Sequence, residues 1–393
     1  MESGSKNKLI GDLDLLRAVS VIAIVIHHAR GNLFEWSTPA LAKFYAYFGG
    51  SFGPDLFFCI SGFIIARDLI PRLRGCNSQT EWLNQSLFFW IKRVFRILPS
   101  AWLWLGIILL LCAFFNSTGA FGNFRTNWEA TIAGILQVAN FRFANALNHS
   151  YGASFVYWTL SLEEQFYMLF PFAIWYLRKY LVYVLAALII YQLVGERSMY
   201  GLAFRTDALM MGILIAMWSA RDSYRMVEPT FMRARPWTGV AALIIITTCL
   251  VSLSPGPNGL VIAPIKWSMI AILSALLVFL ASYDGDYLLP ASPLKSVLLW
   301  VGSRSYAIYL CHVPAFFATR EIMHRAMPGT DFDTQYFYAF VSCSTAIILI
   351  CSELNYRFIE TPLRRRGARI AGELLAKRTA ELESNNGAIR PSA

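Results

Sequence analysis

Charged residues are scarce in this chain of 393 residues: they make up only 15% of it, beside 56% hydrophobic residues. Soluble domains carry about 25% charged residues, so this chain has too few to cover a soluble globule. The high apolar content also excludes an intrinsically disordered chain and, with the shortage of charge, a soluble nucleic-acid binder. A polytopic membrane protein remains, since each membrane span needs about 20 apolar residues.

Cysteine pairs, nucleotide-binding loops and internal repeats are missing too. The seven cysteines form no CxxC pair and mostly fall in apolar runs, which is typical of small buried residues and excludes a disulfide scaffold. No Walker A loop and no dinucleotide-binding glycine pattern occurs. The cysteine pattern leads us to expect no bound metal, and the composition leads us to expect no nucleic-acid partner.

Long apolar runs are abundant, and they predict an all-α, polytopic membrane helical bundle with about ten transmembrane helices. The short run 130–140 contains Gly134, Gln137 and Asn140, so we interpret it as a re-entrant or interfacial piece and not as a full span. The predicted span 180–195 is short and has the weakest support of the set. The predicted spans are 13–29, 51–69, 98–115, 158–177, 180–195, 204–219, 237–253, 262–282, 298–318 and 335–353.

The net charge of +10 is distributed unevenly along the chain. If the N-terminus is inside, the cytoplasmic segments hold about three times as many basic residues as the outer loops, which predicts that both termini are cytoplasmic. Residues 1–369 then form the membrane domain, and residues 370–393 form a cytoplasmic polar tail that frays, apart from a short surface helix near 373–383. We expect that the first span is not a cleaved signal peptide, because Asp14 and Arg17 interrupt it and no convincing small-residue cleavage site follows.

The first span carries ionisable residues, which are costly in a membrane and usually functional. Arg17 and His28 share one face, because they are 11 positions apart, an interval of about three turns and about 16 Å of helix. His27 points about 80° away from that face. The alternative is that the two histidines mark only the outer helix end, in the headgroup region.

The fourth span begins with a polar stripe on an apolar helix. Ser161, Glu164 and Tyr167 follow one another at intervals of three residues and therefore lie along one side, after Trp158. A carboxylate near an imidazole can hold its tautomer and stabilise its protonated form. The alternative is a structural hydrogen bond between helices.

Arg93 and Arg96 stand one turn apart before the third span, in a segment that we predict to be a cytoplasmic loop. Their bidentate guanidinium groups suit phosphate. A topology signal or an anchor for anionic membrane lipid is the alternative for any basic cluster beside a membrane.

Further polar residues lie in or beside other spans. Asp55 precedes Ser61 and Gly62, two small residues that permit close helix approach. Tyr309 and His312 lie one turn apart, and His312 is either a packed, hydrogen-bonded residue or a functional one. Two more charged residues open the sixth span and suggest a local ion pair: Arg205 and Asp207.

Together these motifs resemble the acyltransferase-3 family of integral membrane acyltransferases. The resemblance extends from about residue 12 to about residue 320 and depends on the order and spacing of the motifs more than on any one of them. The matching residues are Leu13-Asp14-x-x-Arg17 with His28-Ala29, Asp55-Leu56-Phe57-Phe58 with Ser61-Gly62-Phe63, Arg93-x-x-Arg96 with Leu98-Pro99, Trp158 with Ser161-Leu162-x-Glu164-x-Phe166-Tyr167, Arg205-x-Asp207, and Ser305-Tyr306-x-x-Tyr309-Leu310-x-His312.

The resemblance implies transfer of an acyl group, usually acetyl, from acetyl-CoA or another acyl-CoA to a hydroxyl of a glycan or glycolipid. By analogy Arg17 and His28 form the essential pair, with His28 as catalytic base or acyl carrier. Arg93 and Arg96 contact the donor, together with Arg17, and Glu164 supports catalysis. The expected location is the bacterial cytoplasmic (inner) membrane.

Some members of this family carry a C-terminal esterase-like domain. This chain has only a short polar tail in that place, so we expect it to act alone or with a separate partner. His27 has no counterpart in the family pattern. Direct transfer and a covalent relay through His28 both stay open, as does the oligomeric state.

A membrane transporter or a glycan flippase is the competing interpretation, because either can use the same intramembrane charges. A transporter predicts paired halves with similar hydropathy, and none is apparent. Neither rival needs an arginine pair that contacts an anionic donor.

Overall fold

The protein's structure, a computed structural model, describes residues 11–145, 151–195, 198–254 and 265–388, with side chains as far as residue 380. In these ranges the chain folds into helices and forms no strand beyond a single bridge between Arg30 and Phe34. The predicted all-α class is confirmed. The first ten residues, the start of the predicted span 262–282 and the last five residues of the predicted tail lie outside the described residues.

The α-helices are numbered in chain order. Two 3₁₀ turns, Arg178–Tyr180 and Thr334–Tyr336, and a π-helical turn, Tyr356–Glu360, lie between them. The helices are α1 Gly11–Ala29, α2 Pro39–Tyr47, α3 Gly53–Arg74, α4 Gln79–Phe114, α5 Phe124–Ile135, α6 Ala139–Asn145, α7 Tyr157–Leu177, α8 Leu181–Val194, α9 Met199–Ala203, α10 Asp207–Ser219, α11 Asp222–Met226, α12 Phe231–Ala234, α13 Pro236–Leu253, α14 Ile265–Ala281, α15 Pro293–Ser303, α16 Ser305–Ala326, α17 Phe337–Asn355 and α18 Thr361–Ala388.

Four helical stretches of the described chain are long and apolar enough to cross a membrane: Gln79–Phe114, Tyr157–Val194, Pro236–Leu253 and Thr334–Ala380. Helices α10 and α14 are apolar but shorter. Helix α1 is about 28 Å long, which is sufficient to span, but it also carries charged residues near its start. The protein is therefore an integral membrane protein, whereas the count of ten spans and the cytoplasmic termini stay predictions.

The chain forms two compact units. As far as they are described, the first consists of Met1–Arg67 with Val182–Ile348, and the second of Asp68–Leu181 with Leu349–Ala393. Within the first unit, α1 packs against α14, α15 and α16. Within the second, α4 packs along α18 and against α5 and α7.

Close backbone contacts hold α1 in the first unit. A Cβ atom at Gly302 of α15 would collide with the carbonyl oxygen of Asp14, and one at Gly50 would collide with that of Ala23. Only glycine lets two backbones approach so closely. At the start of α1, buried Lys295 donates hydrogen bonds to Asp12 Oδ1 at 2.9 Å, Asp286 Oδ1 at 2.8 Å and the Leu289 carbonyl at 2.6 Å.

Helices α3 and α10 cross through a reciprocal pair of glycines. A Cβ at Gly62 would collide with the carbonyl oxygen of Leu209, and one at Gly212 would collide with that of Cys59. The predicted close approach at Gly62 is confirmed. Ser61, beside it on α3, is half-buried.

Helices α4 and α7 of the second unit are joined by side-chain bonds to backbone carbonyls. The Trp90 indole N–H donates to the Tyr167 carbonyl at 3.0 Å, and the Tyr157 hydroxyl donates to the Ala101 carbonyl at 2.8 Å. Pro171 has no N–H to donate to the carbonyl four residues before it, that of Tyr167. Trp90 therefore satisfies an acceptor that the proline leaves open within α7.

Helix α4 starts much earlier than the predicted span 98–115. It begins at Gln79, contains 36 residues and is about 54 Å long. Arg93 and Arg96 therefore lie inside a helix, and the predicted loop at this place is wrong. Apolar content defined the predicted span, and the first half of α4 is too polar to be found in that way.

Other predicted boundaries change as well. The predicted span 298–318 is divided at Arg304, between α15 and α16. The run 130–140 is also divided, because α5 ends at Ile135 and Gln137 has a left-handed φ of 57°. The polar tail does not fray within the described residues, because α18 continues without a break to Ala388.

We expect Gly302→Ala to lower the free energy of unfolding by about 1–3 kcal/mol, because the added Cβ must push α15 away from α1. Thermal unfolding of the detergent-purified protein measures the effect. Gly106→Ala in α4 is the control: a Cβ at Gly106 meets nothing within 4 Å, and alanine favours a helix. Equal melting temperatures for the two variants would contradict the close contact.

Candidate active site

Two histidines meet in the first unit. His28, in the last turn of α1, and His312, on α16, place Nδ1 of the former 2.8 Å from Nε2 of the latter. Their ring planes are inclined by only 7°. His312 is fully buried, and its Nδ1 lies 2.8 Å from the Tyr309 carbonyl oxygen. Hydrogen bonds therefore hold both sides of the His312 ring.

Arg17 lies on the same helix as His28. Helix α1 is continuous from Gly11 to Ala29, so the two residues lie on one face and are separated by about 16 Å along the axis. Arg17 Nη1 donates to Asp14 Oδ1 at 2.5 Å, one turn earlier. Asp14 thus holds the guanidinium group of Arg17 against α1.

Tyr309 lies beside the histidine pair. Its ring centroid is 5.8 Å from that of His312 and 6.3 Å from that of Phe57 on α3. Tyr309 is buried. It contributes a backbone acceptor and an aromatic wall to the surroundings of His312.

Arg205 and Asp55 form a buried, bidentate ion pair. Arg205 donates from Nε to Asp55 Oδ1 at 3.0 Å and from Nη2 to Asp55 Oδ2 at 2.8 Å, and the two side chains are only 4% and 0% exposed. The Arg205 guanidinium also lies 4.4 Å from the ring centroid of Trp267. The planar fork of the guanidinium thus binds the carboxylate, and its flat face stacks on the tryptophan ring.

The sequence predicted Asp207 as the partner of Arg205. The bidentate partner of Arg205 is instead Asp55. Asp207 lies at the start of α10, where its Oδ1 accepts from the Ala208 N–H at 3.0 Å. Its own N–H donates to Gln192 Oε1 at 3.1 Å. Asp207 thus helps to begin the helix, as acidic residues in a first turn do.

Arg93, Glu164 and Tyr167 come together in the second unit. The Arg93 guanidinium lies 5.4 Å from the Tyr167 ring centroid and 5.5 Å from that of Phe89. It also interacts electrostatically with Glu164. Among the residues that the structure describes, the buried Glu164 Oε1 has no hydrogen-bond partner, and a buried acceptor of this kind is suited to receive a donor.

The other predicted residues of this unit make structural contacts. Ser161 Oγ accepts from the Ala139 N–H at 3.1 Å, at the start of α6. Trp158 stacks on Phe143, with ring centroids 5.0 Å apart. Arg96 is half-buried one turn beyond Arg93 on α4.

Two amide side chains that the sequence motifs did not single out also meet in the second unit. Asn140 donates to Gln165 Oε1 at 3.0 Å, and Gln165 returns a bond to Asn140 Oδ1 at 2.9 Å and another to the Gln137 carbonyl at 2.7 Å. The polar residues Gln137 and Asn140 in the otherwise apolar run 130–140 were the sequence signal for this contact. Trp267, which covers Arg205, had no comparable signal in the sequence.

A charged cluster ties the segment after α1 to the end of α16. The Glu35 carboxylate pairs with the Arg320 guanidinium and accepts from His324 Nε2 at 2.9 Å. Burial by itself would raise the pKa of Glu35, but the hydrogen bond from His324 and the charge of Arg320 outweigh burial and hold that pKa below its ordinary value. The cluster thus fixes the chain shortly after His28.

An apolar cavity of about 330 Å³ lies between α1, α2, α16 and α17, and its walls include Ile26, Phe316 and Phe337. His28 and His312 are not among its lining residues. Over the described parts of the chain, no three His, Cys, Asp or Glu side chains are grouped so that they could hold a metal ion.

We expect Asp55→Asn to destabilise the protein by about 3–5 kcal/mol, because it leaves the buried Arg205 guanidinium without its charge partner. Thermal unfolding in detergent measures the change. Asp68→Asn, on the same helix, is the control: its ion pair with Arg72 is solvent-exposed and is worth about 0–1 kcal/mol. Similar losses in the two variants would contradict the importance of the buried pair.

Comparisons with known proteins agree with the motifs. A family model described as an acyltransferase domain, Acyl_transf_3, matches residues 10–355. The chain is 27% identical to the peptidoglycan O-acetyltransferase OatA of Listeria monocytogenes, over 92% of this chain and 56% of that protein. It is 25% identical to the O-acetyltransferase OatA of Staphylococcus aureus, over 90% of this chain and 57% of that protein.

The chain spans a little over half the length of these curated relatives. No solved structure matches it. The family model, however, covers most of the chain, including α1, α7 and α16 with their polar motifs. The chain therefore belongs to the acyltransferase-3 family of membrane acyltransferases.

Proposed function

We propose that this protein is an O-acetyltransferase of the bacterial cytoplasmic membrane, and that it transfers an acetyl group from acetyl-CoA, or another acyl group from its CoA thioester, to a hydroxyl of a glycan or glycolipid. The observation that carries the proposal is the position of the His28 imidazole. Helix α1 bears both His28 and Arg17, and His28 Nδ1 lies 2.8 Å from Nε2 of His312. Membership of the family supports acyl transfer. The names of two relatives support acetyl as the transferred group and peptidoglycan as one example of an acceptor.

In direct transfer, His28 acts as a general base. The acceptor hydroxyl attacks the thioester carbonyl carbon while its proton passes to the His28 imidazole. The C–S bond then breaks, and the coenzyme A thiolate leaves and receives that proton. No group remains on the enzyme, so donor and acceptor must be bound together.

In a covalent relay, the His28 imidazole itself attacks the thioester carbonyl, and the thiolate leaves before the acceptor reacts. The acceptor hydroxyl then attacks the carbonyl carbon of the acyl-imidazole, the N–C bond breaks, and the hydroxyl proton passes to Nε2 of the released imidazole and from there to water. An acyl-histidine trapped and detected by mass spectrometry supports this route, whereas accumulation of the donor complex alone supports direct transfer.

Arginines supply the proposed binding of the anionic donor. Arg93 and Arg96 lie one turn apart on α4 with forks that suit phosphate oxygens. A contact between Arg17 and the donor stays a prediction. Glu164 interacts with Arg93, which suggests that it orients this donor-binding arginine. Its direct support of His28 stays a prediction.

We expect His28→Gln to reduce O-acetylation of cell-surface glycans by at least about 100-fold, the usual contribution of a general base. Acetyl groups are measured by mass spectrometry of glycans from cells with and without the gene. His27→Gln is the matched control. The His27 ring points away from the face that carries Arg17 and His28, so this variant should keep most of the activity. Both variants should reach wild-type levels in the membrane.

Near-normal acetylation by His28→Gln would overturn the role of His28. Glycans that carry no acyl group even with the wild-type gene would overturn the proposed transferase and favour a transporter or flippase.

We expect Arg93→Gln combined with Arg96→Gln to weaken coenzyme A binding by at least about 100-fold, since each charge-assisted hydrogen bond contributes about 1.5–3 kcal/mol. Calorimetry with purified protein and coenzyme A measures Kd. Arg369→Gln removes an arginine of α18 whose side chain is 71% exposed, and it should leave Kd unchanged. Unaltered binding in the double variant would contradict the donor role of the pair.

A further inference from the structure

We infer that His312 is a positioning residue that fixes the tautomer of His28, so that Nε2 of His28 carries the lone pair that reacts. The inference deepens the proposed function, because it depends on His28 being the base or acyl carrier.

The proton of His312 lies on Nδ1. This nitrogen is 2.8 Å from the Tyr309 carbonyl oxygen and 3.3 Å from the Ile308 carbonyl oxygen. Carbonyl oxygens only accept hydrogen bonds, so Nδ1 must donate. In a neutral imidazole the other nitrogen then carries the lone pair, and for His312 that nitrogen is Nε2.

The position of the His28 proton is fixed by the hydrogen bond between the two rings. His312 Nε2 is an acceptor, and the atom 2.8 Å from it is His28 Nδ1, which must therefore donate. A neutral His28 then has its N–H at Nδ1 and its lone pair at Nε2. The backbone of α16 thus determines, through one buried ring, which nitrogen of the other ring is basic.

This arrangement also assists the reaction. When Nε2 of His28 takes the hydroxyl proton or the acyl group, the ring becomes positively charged, and its Nδ1–H becomes a charge-assisted donor to His312. The acceptor O–H bond breaks and an N–H bond forms at Nε2, or the thioester C–S bond breaks and an N–C bond forms there. His312 exchanges no atom and stays neutral. Its role is that of the aspartate in a Ser-His-Asp triad, without the charge.

Two substitutions of His312 separate this role from simple packing. In His312→Gln, the amide oxygen reaches the position of Nε2 and can still accept from His28. In His312→Asn, the amide nitrogen reaches the position of Nδ1 and can still donate to the Tyr309 carbonyl, but the side chain is too short to reach His28. We expect the asparagine variant to lose about 10–100-fold in kcat with an unchanged KM for acetyl-CoA, and the glutamine variant to keep most activity.

A packing role for His312 predicts the opposite order, because only the asparagine variant keeps the bond to the backbone of α16. Higher kcat in His312→Asn than in His312→Gln would therefore overturn the inference. So would equal kcat values in the two variants and the wild type.

The tautomers are read directly from ¹⁵N NMR of histidine-labelled, full-length protein in nanodiscs. His28→Gln and His312→Gln assign the signals. We expect both rings to show the proton on Nδ1 and the lone pair on Nε2. A lone pair on Nδ1 of His28 would overturn the inference. Because the spectrum needs no turnover, it still tests the inference if the wild type transfers no acetyl group, a result that would instead overturn the proposed function.

Discussion

Close backbone contact around α1 is the constraint on which the first unit depends. Gly302 and Gly50 each meet a carbonyl oxygen of this helix at a distance that leaves no room for a Cβ. Buried Lys295 holds the start of the helix through two carboxylates and a carbonyl. Helix α1 therefore has little freedom to rotate or slide, and the positions of Arg17 and His28 are fixed with it.

Several buried polar groups have partners in both units, because burying a polar or charged group without a partner costs free energy. Arg205 has Asp55 and the face of Trp267. The Tyr167 carbonyl, which receives no helical hydrogen bond from Pro171, accepts one from the Trp90 indole. The buried Glu164 Oε1 differs from these, since no donor reaches it among the described residues. It is one of several buried polar atoms of this kind among the described residues, and it is distinguished from the others by its electrostatic interaction with Arg93.

The sequence predicted those elements that apolar runs define. The span 158–177 matches α7, Tyr157–Leu177, almost residue for residue, and 13–29 lies within α1. The polar first half of α4 was missed, because hydropathy does not distinguish an amphipathic helix from a loop. The division of the span 298–318 at Arg304 was missed as well, since the run stays apolar on both sides of the break.

Side-chain partners were harder to predict than helices. Periodicity places Arg17 and His28 on one face, because it describes a single helix. It contains no information on which helices touch, and His28 and His312 are separated by 284 positions. Arg205 illustrates the difficulty: Asp207 is close in sequence, but the bidentate partner is Asp55, 150 positions away. Tertiary packing decided these pairs.

The unbroken helix between Arg17 and His28 limits how their separation can vary. One inserted residue lengthens the interval by about 1.5 Å but also turns one side chain about 100° away from the other. The two residues return to a common face only after three or four insertions, that is, after about one turn of 5.4 Å. A molecule that contacts both side chains therefore meets separations that can differ only by about a whole helical turn. The interval cannot be tuned in small steps, so a ligand of slightly different length would have to bend to fit it.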